Sequence, residues 1–273
     1  MLAMPIVLAI YLTRHWKLSW RIWLVGGATF ILSQVGHIPF NALMTTVLNK
    51  TPLANMPVQT ALIFNALFLG LSAGLFEELF RYGMFRWWLK DARSWRKAVL
   101  AGAGHGGVEA IILGGMALLA FFQLSALRNV DLSTQYSGAT LIQAQAQVSA
   151  YWSATWYDSM LGALERLFTI VIQISLAVLV LQAFVRRRGY WIWIAVGYHA
   201  LVDASTLLVT ASSNVYWTEG LVGIFALLSL VIIFLLRKPE PETAEPAVEP
   251  ATPELVIKTI DPTPEQLNNS KFS

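Results

Sequence analysis

Two adjacent glutamates, Glu77 and Glu78, lie inside a mainly apolar stretch that runs from residue 60 to residue 85. Arg81 follows them by one helical turn. A charged side chain near the middle of a membrane costs at least about 2–3 kcal/mol, so such residues usually face the interior of a helix bundle. Paired carboxylates in that position have the chemistry of a general base with a supporting neighbour.

Two histidines also lie in apolar stretches, and each has an acid four residues after it. His105 precedes Glu109 and His199 precedes Asp203, and the same spacing separates the first glutamate of the pair from Arg81. Residues four apart share one face of a helix. Three helices are therefore predicted to present a stacked polar pair each.

A carboxylate with two histidines from separate helices suits hydrolysis by an activated water molecule. The glutamate would take a proton from the water. His105 and His199 would either bind a metal such as zinc, which lowers the pKa of the water, or donate directly to the developing oxyanion. The residues alone leave zinc and a metal-free glutamate mechanism both open. The chain has no cysteine, which excludes a cysteine protease, and it lacks the His-Glu-x-x-His motif.

The elements that position these residues are predicted to be membrane helices. Of 273 residues, 56% are hydrophobic and 13% are charged, whereas a soluble domain is about 25% charged. The sequence therefore predicts an all-α, polytopic membrane helix bundle. About seven apolar segments are long enough or nearly long enough to span a bilayer. They cover residues 1–12, 21–40, 58–85, 98–123, 161–185, 190–210 and 217–236.

Basic residues are concentrated at one set of alternate segment ends. Only Lys50 and Arg128 lie at the opposite ends. Because cytoplasmic loops carry the excess of lysine and arginine, the N-terminus is predicted outside and the C-terminus in the cytoplasm. The thirteen residues of the basic set are Arg14, Lys17, Arg21, Arg86, Lys90, Arg93, Arg96, Lys97, Arg186, Arg187, Arg188, Arg237 and Lys238.

Two domains are predicted, a membrane-embedded domain of residues 1–238 and a disordered cytoplasmic tail of residues 239–273. The tail is rich in proline and glutamate and cannot bury a core. The basic rim of the membrane domain indicates contact with anionic lipid rather than with nucleic acid. The long external loop, from about residue 125 to 160, is predicted to be an interfacial helix anchored by aromatic residues, or else a gate over a substrate path.

The polar residues share one predicted depth. Counted from the cytoplasmic helix ends, Glu77, Glu78, His105 and His199 each lie about seven to nine residues inside, and at 1.5 Å per residue they are level within a few ångströms. Glu165 lies nearer the outer end beside Arg166 and is predicted to be its structural partner, while Gln173 lies nearer the predicted site.

The motifs resemble the bacterial YhfC family of intramembrane metalloproteases, which is related to the CPBP superfamily of CAAX-prenyl endopeptidases and bacteriocin self-immunity proteins. The resemblance covers most of residues 1–236. Its motifs are Glu77-Glu78-x-x-Arg81, Gly-His105-Gly-Gly-x-Glu109, Glu165-Arg166 and His199-x-x-x-Asp203. The wider superfamily has one more residue before the arginine of the first motif, and Gln173 stands where the family pattern has a third histidine.

The resemblance implies an intramembrane endopeptidase of the bacterial cell membrane, acting on a transmembrane or membrane-anchored peptide. Glu77 would activate the water, with Glu78 and Arg81 in support, and the reverse assignment of the two glutamates is the alternative. His105 and His199 would bind the metal or the oxyanion, and Asp203 would take the place of the superfamily's last Asn or Asp. Two alternatives remain, a non-catalytic scaffold or immunity-type relative and an ion-coupled transporter.

Overall fold

The computed structural model describes residues 1–237. These residues form helices joined by loops, and none of them lies in a strand. The predicted all-α class is therefore confirmed. The predicted tail of residues 239–273 lies outside the described residues. The helices are α1 (Ala3–Trp16), α2 (Trp20–Leu48), α3 (Val58–Gly83), α4 (Trp95–Leu127), α5 (Gly138–Ser153), α6 (Asp158–Val185), α7 (Tyr190–Ser212) and α8 (Val215–Leu235). A π-helical turn, Met84–Trp88, continues α3, and short 3-10 turns lie at Pro52–Asn55 and Leu132–Thr134.

Six helices of the described chain, α2, α3, α4, α6, α7 and α8, are long and apolar enough to cross a membrane. The predicted polytopic bundle is thus confirmed, and the protein is a multi-pass membrane protein. Helix α1 occupies the first predicted segment with 14 residues. At 1.5 Å per residue it reaches only about 21 Å, less than the about 30 Å of a hydrocarbon core. The count of seven spans and the orientation stay predictions.

Side-chain caps mark where several helices begin. Ser19, Ser94 and Asn214 each accept a hydrogen bond from a backbone N–H in the first turn of α2, α4 and α8. Such caps satisfy backbone donors that have no partner within the helix. Beyond the other end of α3, Arg93 donates to the carbonyl oxygens of Phe85 and Leu89 and holds the π-helical turn.

Five helices form a closed ring in which α2 packs on α3, α3 on α7, α7 on α6, α6 on α4 and α4 on α2. Helix α1 packs on α4, and α8 packs on α6 and α7. Glycines near His105 permit this close approach: a Cβ on Gly104 would lie 2.0 Å from the backbone oxygen of Trp23, and one on Gly102 would lie 2.6 Å from the Cα of Ile174. Small residues thus bring α2 and α6 against the part of α4 that carries the histidine.

Helix α5 lies within the long loop predicted to be an interfacial helix or a gate. None of its residues is buried. Trp152 attaches it to α4 by donating from Nε1 to the carbonyl oxygen of Leu124 at 3.3 Å, and the Arg128 guanidinium lies 4.0 Å from the Trp152 ring centre. An exposed helix anchored by an aromatic side chain fits the interfacial prediction, and the choice between the two roles stays a prediction.

Candidate active site

The adjacent glutamates Glu77 and Glu78 lie in two different environments. Successive helical residues point about 100° apart. Glu78 is fully buried, and its Oε1 accepts hydrogen bonds from Arg81 Nη1 and from His199 Nδ1, the latter at 2.8 Å. Arg81, also fully buried, donates from Nη2 to Gln173 Oε1 at 2.5 Å. Arg81 therefore pairs with Glu78 and not with Glu77, the residue that the four-residue spacing suggested.

Glu77 has its own set of hydrogen-bond donors. Its Oε1 accepts from Gln34 Nε2 at 2.9 Å. Its Oε2 is 3.0 Å from His105 Nε2 and 3.3 Å from Gln173 Nε2. These donors come from α2, α4 and α6, so three helices orient one carboxylate. Glu77 keeps a small exposed fraction, 6%, which faces a cavity.

The two histidines occupy different positions relative to Glu77. His105 is 1% exposed, and the edge of its ring meets Phe30 at 5.3 Å between centres. It therefore lies behind the carboxylate. His199 lines the cavity, with Nε2 at 3.6 Å from Asp203 Oδ2 and 3.9 Å from Glu77 Oε2. Of the three predicted i, i+4 pairs, His199 and Asp203 are the pair within ion-pair distance.

Glu109 belongs to a second group of charges, which is less buried than Glu77 and Glu78. Its Oε1 accepts from Arg166 Nη1 at 2.9 Å and its Oε2 accepts from Gln173 Nε2 at 3.0 Å. Arg166 also contacts Glu165, as the sequence predicted. Gln173 links this group to Glu77 and Arg81, because its amide donates to both glutamates and its oxygen accepts from the arginine.

Two adjoining cavities lie against these polar residues. The first, about 270 Å³, is lined by side chains of α2, α3, α4, α6 and α7, including Glu77 and His199. The second, about 310 Å³, is lined by residues such as His37 and Arg166. Glu109 and Asp203 line both. A larger cavity of about 380 Å³, between the C-terminal end of α2 and the N-terminal end of α3, is lined by no acid or histidine.

Sequence reasoning missed two polar residues of this region. Gln34 and His37 were not assigned to the site, although Gln34 contacts Glu77 and His37 contacts Gln34. The signal was a polar stripe on α2 in which Gln34, His37 and Asn41 are three and four residues apart. Glu219, a buried carboxylate that lines neither cavity, was also missed. It is 7% exposed within α8, and its charged neighbours are Glu165 and Arg166.

The positions of the two histidines do not fit a zinc site, which is one of the two alternatives that the sequence leaves open. A zinc site needs three or four nitrogen, oxygen or sulfur ligands, at about 2.0–2.3 Å from one ion. Across residues 1–237, no group of three or more His, Cys, Asp or Glu side chains is arranged to hold a metal. His105 Nε2 faces Glu77, His199 Nδ1 is bonded to Glu78, and Gln173 occupies the place expected for a third histidine.

Sequence comparison with known proteins places the chain in a family. The sequence profile of the family described as YhfC intramembrane metalloprotease matches residues 1–237. The "Uncharacterized membrane protein YhfC" of Bacillus subtilis (strain 168) is 28% identical over 210 residues, which are 75% of this chain and 79% of that protein. No solved structure matches the chain. Because the profile match spans every described helix, the chain belongs to the YhfC intramembrane metalloprotease family.

Proposed function

We propose that this chain is an intramembrane endopeptidase in which Glu77 acts as the general base. The observation that carries the proposal is that Glu77, alone of the adjacent pair, lines a cavity inside the helix ring while donors from three helices hold it. Membership of a family described as intramembrane metalloproteases supports the reaction class.

The proposed reaction uses the side chains that face the cavity. Glu77 takes a proton from a water molecule as the water oxygen attacks the carbonyl carbon of the peptide bond. The electron pair of the C=O bond moves to the carbonyl oxygen. The protonated form of His199 donates a hydrogen bond from Nε2 to this oxyanion. Collapse of the intermediate breaks the C–N bond, and Glu77 returns the proton to the leaving nitrogen.

The remaining predicted site residues would act through these two. His105 orients Glu77 by donating to Oε2. Glu78 accepts from His199 Nδ1 and so fixes which nitrogen of that imidazole faces the cavity. Arg81 compensates the buried charge of Glu78. Asp203, whose Oδ2 lies 3.6 Å from His199 Nε2, would stabilise the protonated imidazole by its charge and leave the Nε2–H free for the oxyanion.

The proposed substrate is a transmembrane or membrane-anchored peptide. The wall of the 270 Å³ cavity combines the polar groups with apolar side chains such as Phe30, Ile112 and Leu113. Ile112 is 41% exposed and Leu113 is 37% exposed, so this wall continues to the outer surface of α4. An apolar peptide segment would contact that wall while its scissile bond reaches Glu77.

Cleavage of a library of transmembrane peptides by the purified protein in liposomes tests the proposal. Glu77→Gln removes the base and is expected to lower kcat by about 10²–10⁴-fold. Glu219→Gln is the matched control, because Glu219 is a buried carboxylate of the same bundle outside the proposed machinery. Its activity should stay near that of the unaltered protein. Cleavage by the Glu77→Gln protein at the unaltered rate would refute the assignment, and proton-coupled uptake without cleavage would favour a transporter.

A further inference from the structure

A chain of uncharged side chains runs along α2 and ends at Glu77. Gln34, His37 and Asn41 share one helix face. Gln34 Nε2 lies 2.9 Å from Glu77 Oε1, and Gln34 Oε1 lies 3.3 Å from His37 Nδ1. His37 Nε2 lies 2.8 Å from Asn41 Nδ2 and 3.1 Å from Ser72 Oγ. Because His37 and Asn41 line the 310 Å³ cavity, the chain connects that cavity to the carboxylate.

The carboxylate sets the direction of the hydrogen bonds from Glu77 to His37. An ionised carboxylate can only accept, so Gln34 must turn its amide nitrogen toward Glu77. The amide oxygen of Gln34 then faces His37 and requires a donor, which places a hydrogen on His37 Nδ1. His37 Nε2 is left without a hydrogen and accepts from the amide nitrogen of Asn41.

The far end of the chain is compatible with the same direction but does not impose it. Ser72 has one hydroxyl hydrogen, and its Oγ lies 3.0 Å both from Asn41 Oδ1 and from the backbone oxygen of Leu69. When Ser72 donates to Asn41 Oδ1, the amide nitrogen of Asn41 faces His37 Nε2. The hydrogen on His37 Nδ1 is therefore required from the Glu77 end, and a neutral imidazole with that hydrogen satisfies both neighbours.

We propose that Gln34 and His37 are positioning residues that hold Glu77 in its reactive orientation. The inference rests on the proposed function of Glu77. Gln34 occupies Oε1, while His105 and Gln173 occupy Oε2, so rotation of the carboxylate would break hydrogen bonds on both oxygens. His37 in turn fixes the orientation of the Gln34 amide. Neither residue exchanges a proton with substrate, and both act on kcat through Glu77.

Kinetics of four variants in proteoliposomes test the positioning role. Gln34→Met and His37→Leu remove the chain and are expected to lower kcat by about 10–100-fold, with KM changed less than twofold. His37→Asn is the conservative variant, because an amide nitrogen on Cγ replaces the Nδ1–H donor, and it should recover most of kcat. Glu219→Gln remains the control. An unchanged kcat in both disruptive variants, or a His37→Asn protein as slow as His37→Leu, would overturn the proposal.

A spectroscopic measurement tests the same chain without using activity. In ¹⁵N-histidine NMR of the full-length protein, His37 should show the Nδ1–H tautomer, while the exposed His15 provides the reference for an imidazole in water. Gln34→Met should move His37 away from that tautomer. A His37 that carries its hydrogen on Nε2 refutes the chain even in an active enzyme. If His37 carries its hydrogen on Nδ1 but the protein shows no Glu77-dependent peptide cleavage, the proposed function is refuted and the hydrogen-bond chain is established.

Discussion

Replacing Arg81 by methionine is expected to destabilise the helix ring more than any other single change at the candidate site. Methionine keeps much of the side-chain volume but removes the guanidinium. Arg81 and Glu78 are both 0% exposed, and their ion pair lies between α3, α6 and α7. The substitution leaves Glu78 as a buried carboxylate with His199 as its one remaining hydrogen-bond donor in the described chain, and it takes the donor away from Gln173 Oε1.

The magnitude follows from the burial of both partners. Removing one member of a buried ion pair typically costs about 3–5 kcal/mol, because the other charge stays buried without compensation. The hydrogen bond from His199 to Glu78 persists and offsets part of the cost. We therefore expect Arg81→Met to lower the free energy of unfolding by about 3–5 kcal/mol, with no further cost added for the lost hydrogen bond to Gln173. The double variant Arg81→Met/Glu78→Gln removes both charges. It should therefore be more stable than the sum of the two single losses predicts, by about 2 kcal/mol or more.

The assay is a double-mutant cycle of the free energy of unfolding, measured by reversible SDS denaturation in mixed micelles and followed by far-UV circular dichroism. The cycle compares the unaltered protein, Arg81→Met, Glu78→Gln and the double variant. An Arg81→Met loss below about 1 kcal/mol would place the pair among solvated surface ion pairs. Additive single losses would show that the two side chains do not interact. Either result would refute the reasoning from burial.

Three further predictions concern packing, orientation and metal content. Gly104→Ala should destabilise the bundle by about 1–3 kcal/mol, because its Cβ would lie 2.0 Å from a backbone oxygen of α2, whereas Gly115→Ala meets nothing within 4 Å and should be neutral or stabilising in the same SDS titration. Because the chain has no cysteine, an impermeant maleimide added to cells should label Lys50→Cys and not Arg187→Cys; the reverse pattern would invert the predicted orientation. Elemental analysis of the active protein should find no stoichiometric zinc. Zinc that is present in the unaltered protein and absent from the His199→Ala variant would contradict the inference that the histidines are not placed to bind a metal.

Residues that the sequence places at one membrane depth meet in the structure. Helical rise converts residue number into depth, and basic residues mark where each helix leaves the membrane. Glu77, His105 and His199, from three helices, were assigned one level, and in the structure both imidazoles lie within 4 Å of the Glu77 carboxylate. The prediction used quantities that are local to each helix, which is why a sequence without a structure could supply it.

Spacing alone could not predict the side-chain partners. The i, i+4 rule places two residues on one face, but partners from neighbouring helices compete for them. Arg81 pairs with Glu78 and Gln173, and Glu109 pairs with Arg166 from α6. These contacts depend on how the helices are rotated about their axes, and tertiary packing determines that rotation.

The role of α2 was missed for a different physical reason. The predicted segment ended at residue 40, which placed His37 at a membrane edge, whereas α2 continues to Leu48. Uncharged polar side chains such as Gln34 also carry a smaller penalty in a membrane than a carboxylate does, so they stand out less in an apolar stretch. The remaining signal was the stripe of polar residues at helical spacing on α2. Their role depends on contact with Glu77 of α3, which the sequence of α2 does not indicate.

The two adjacent glutamates show why identical chemistry can divide into two roles. A reversed assignment, with Glu78 as the base, would require a water molecule to reach a side chain that is 0% exposed and enclosed by Arg81 and His199. Glu77 does not meet this obstacle, since it faces the cavity and its closest donors are amides and an imidazole. Neighbouring helices, rather than the Glu-Glu motif itself, therefore decide which carboxylate is available to a water molecule.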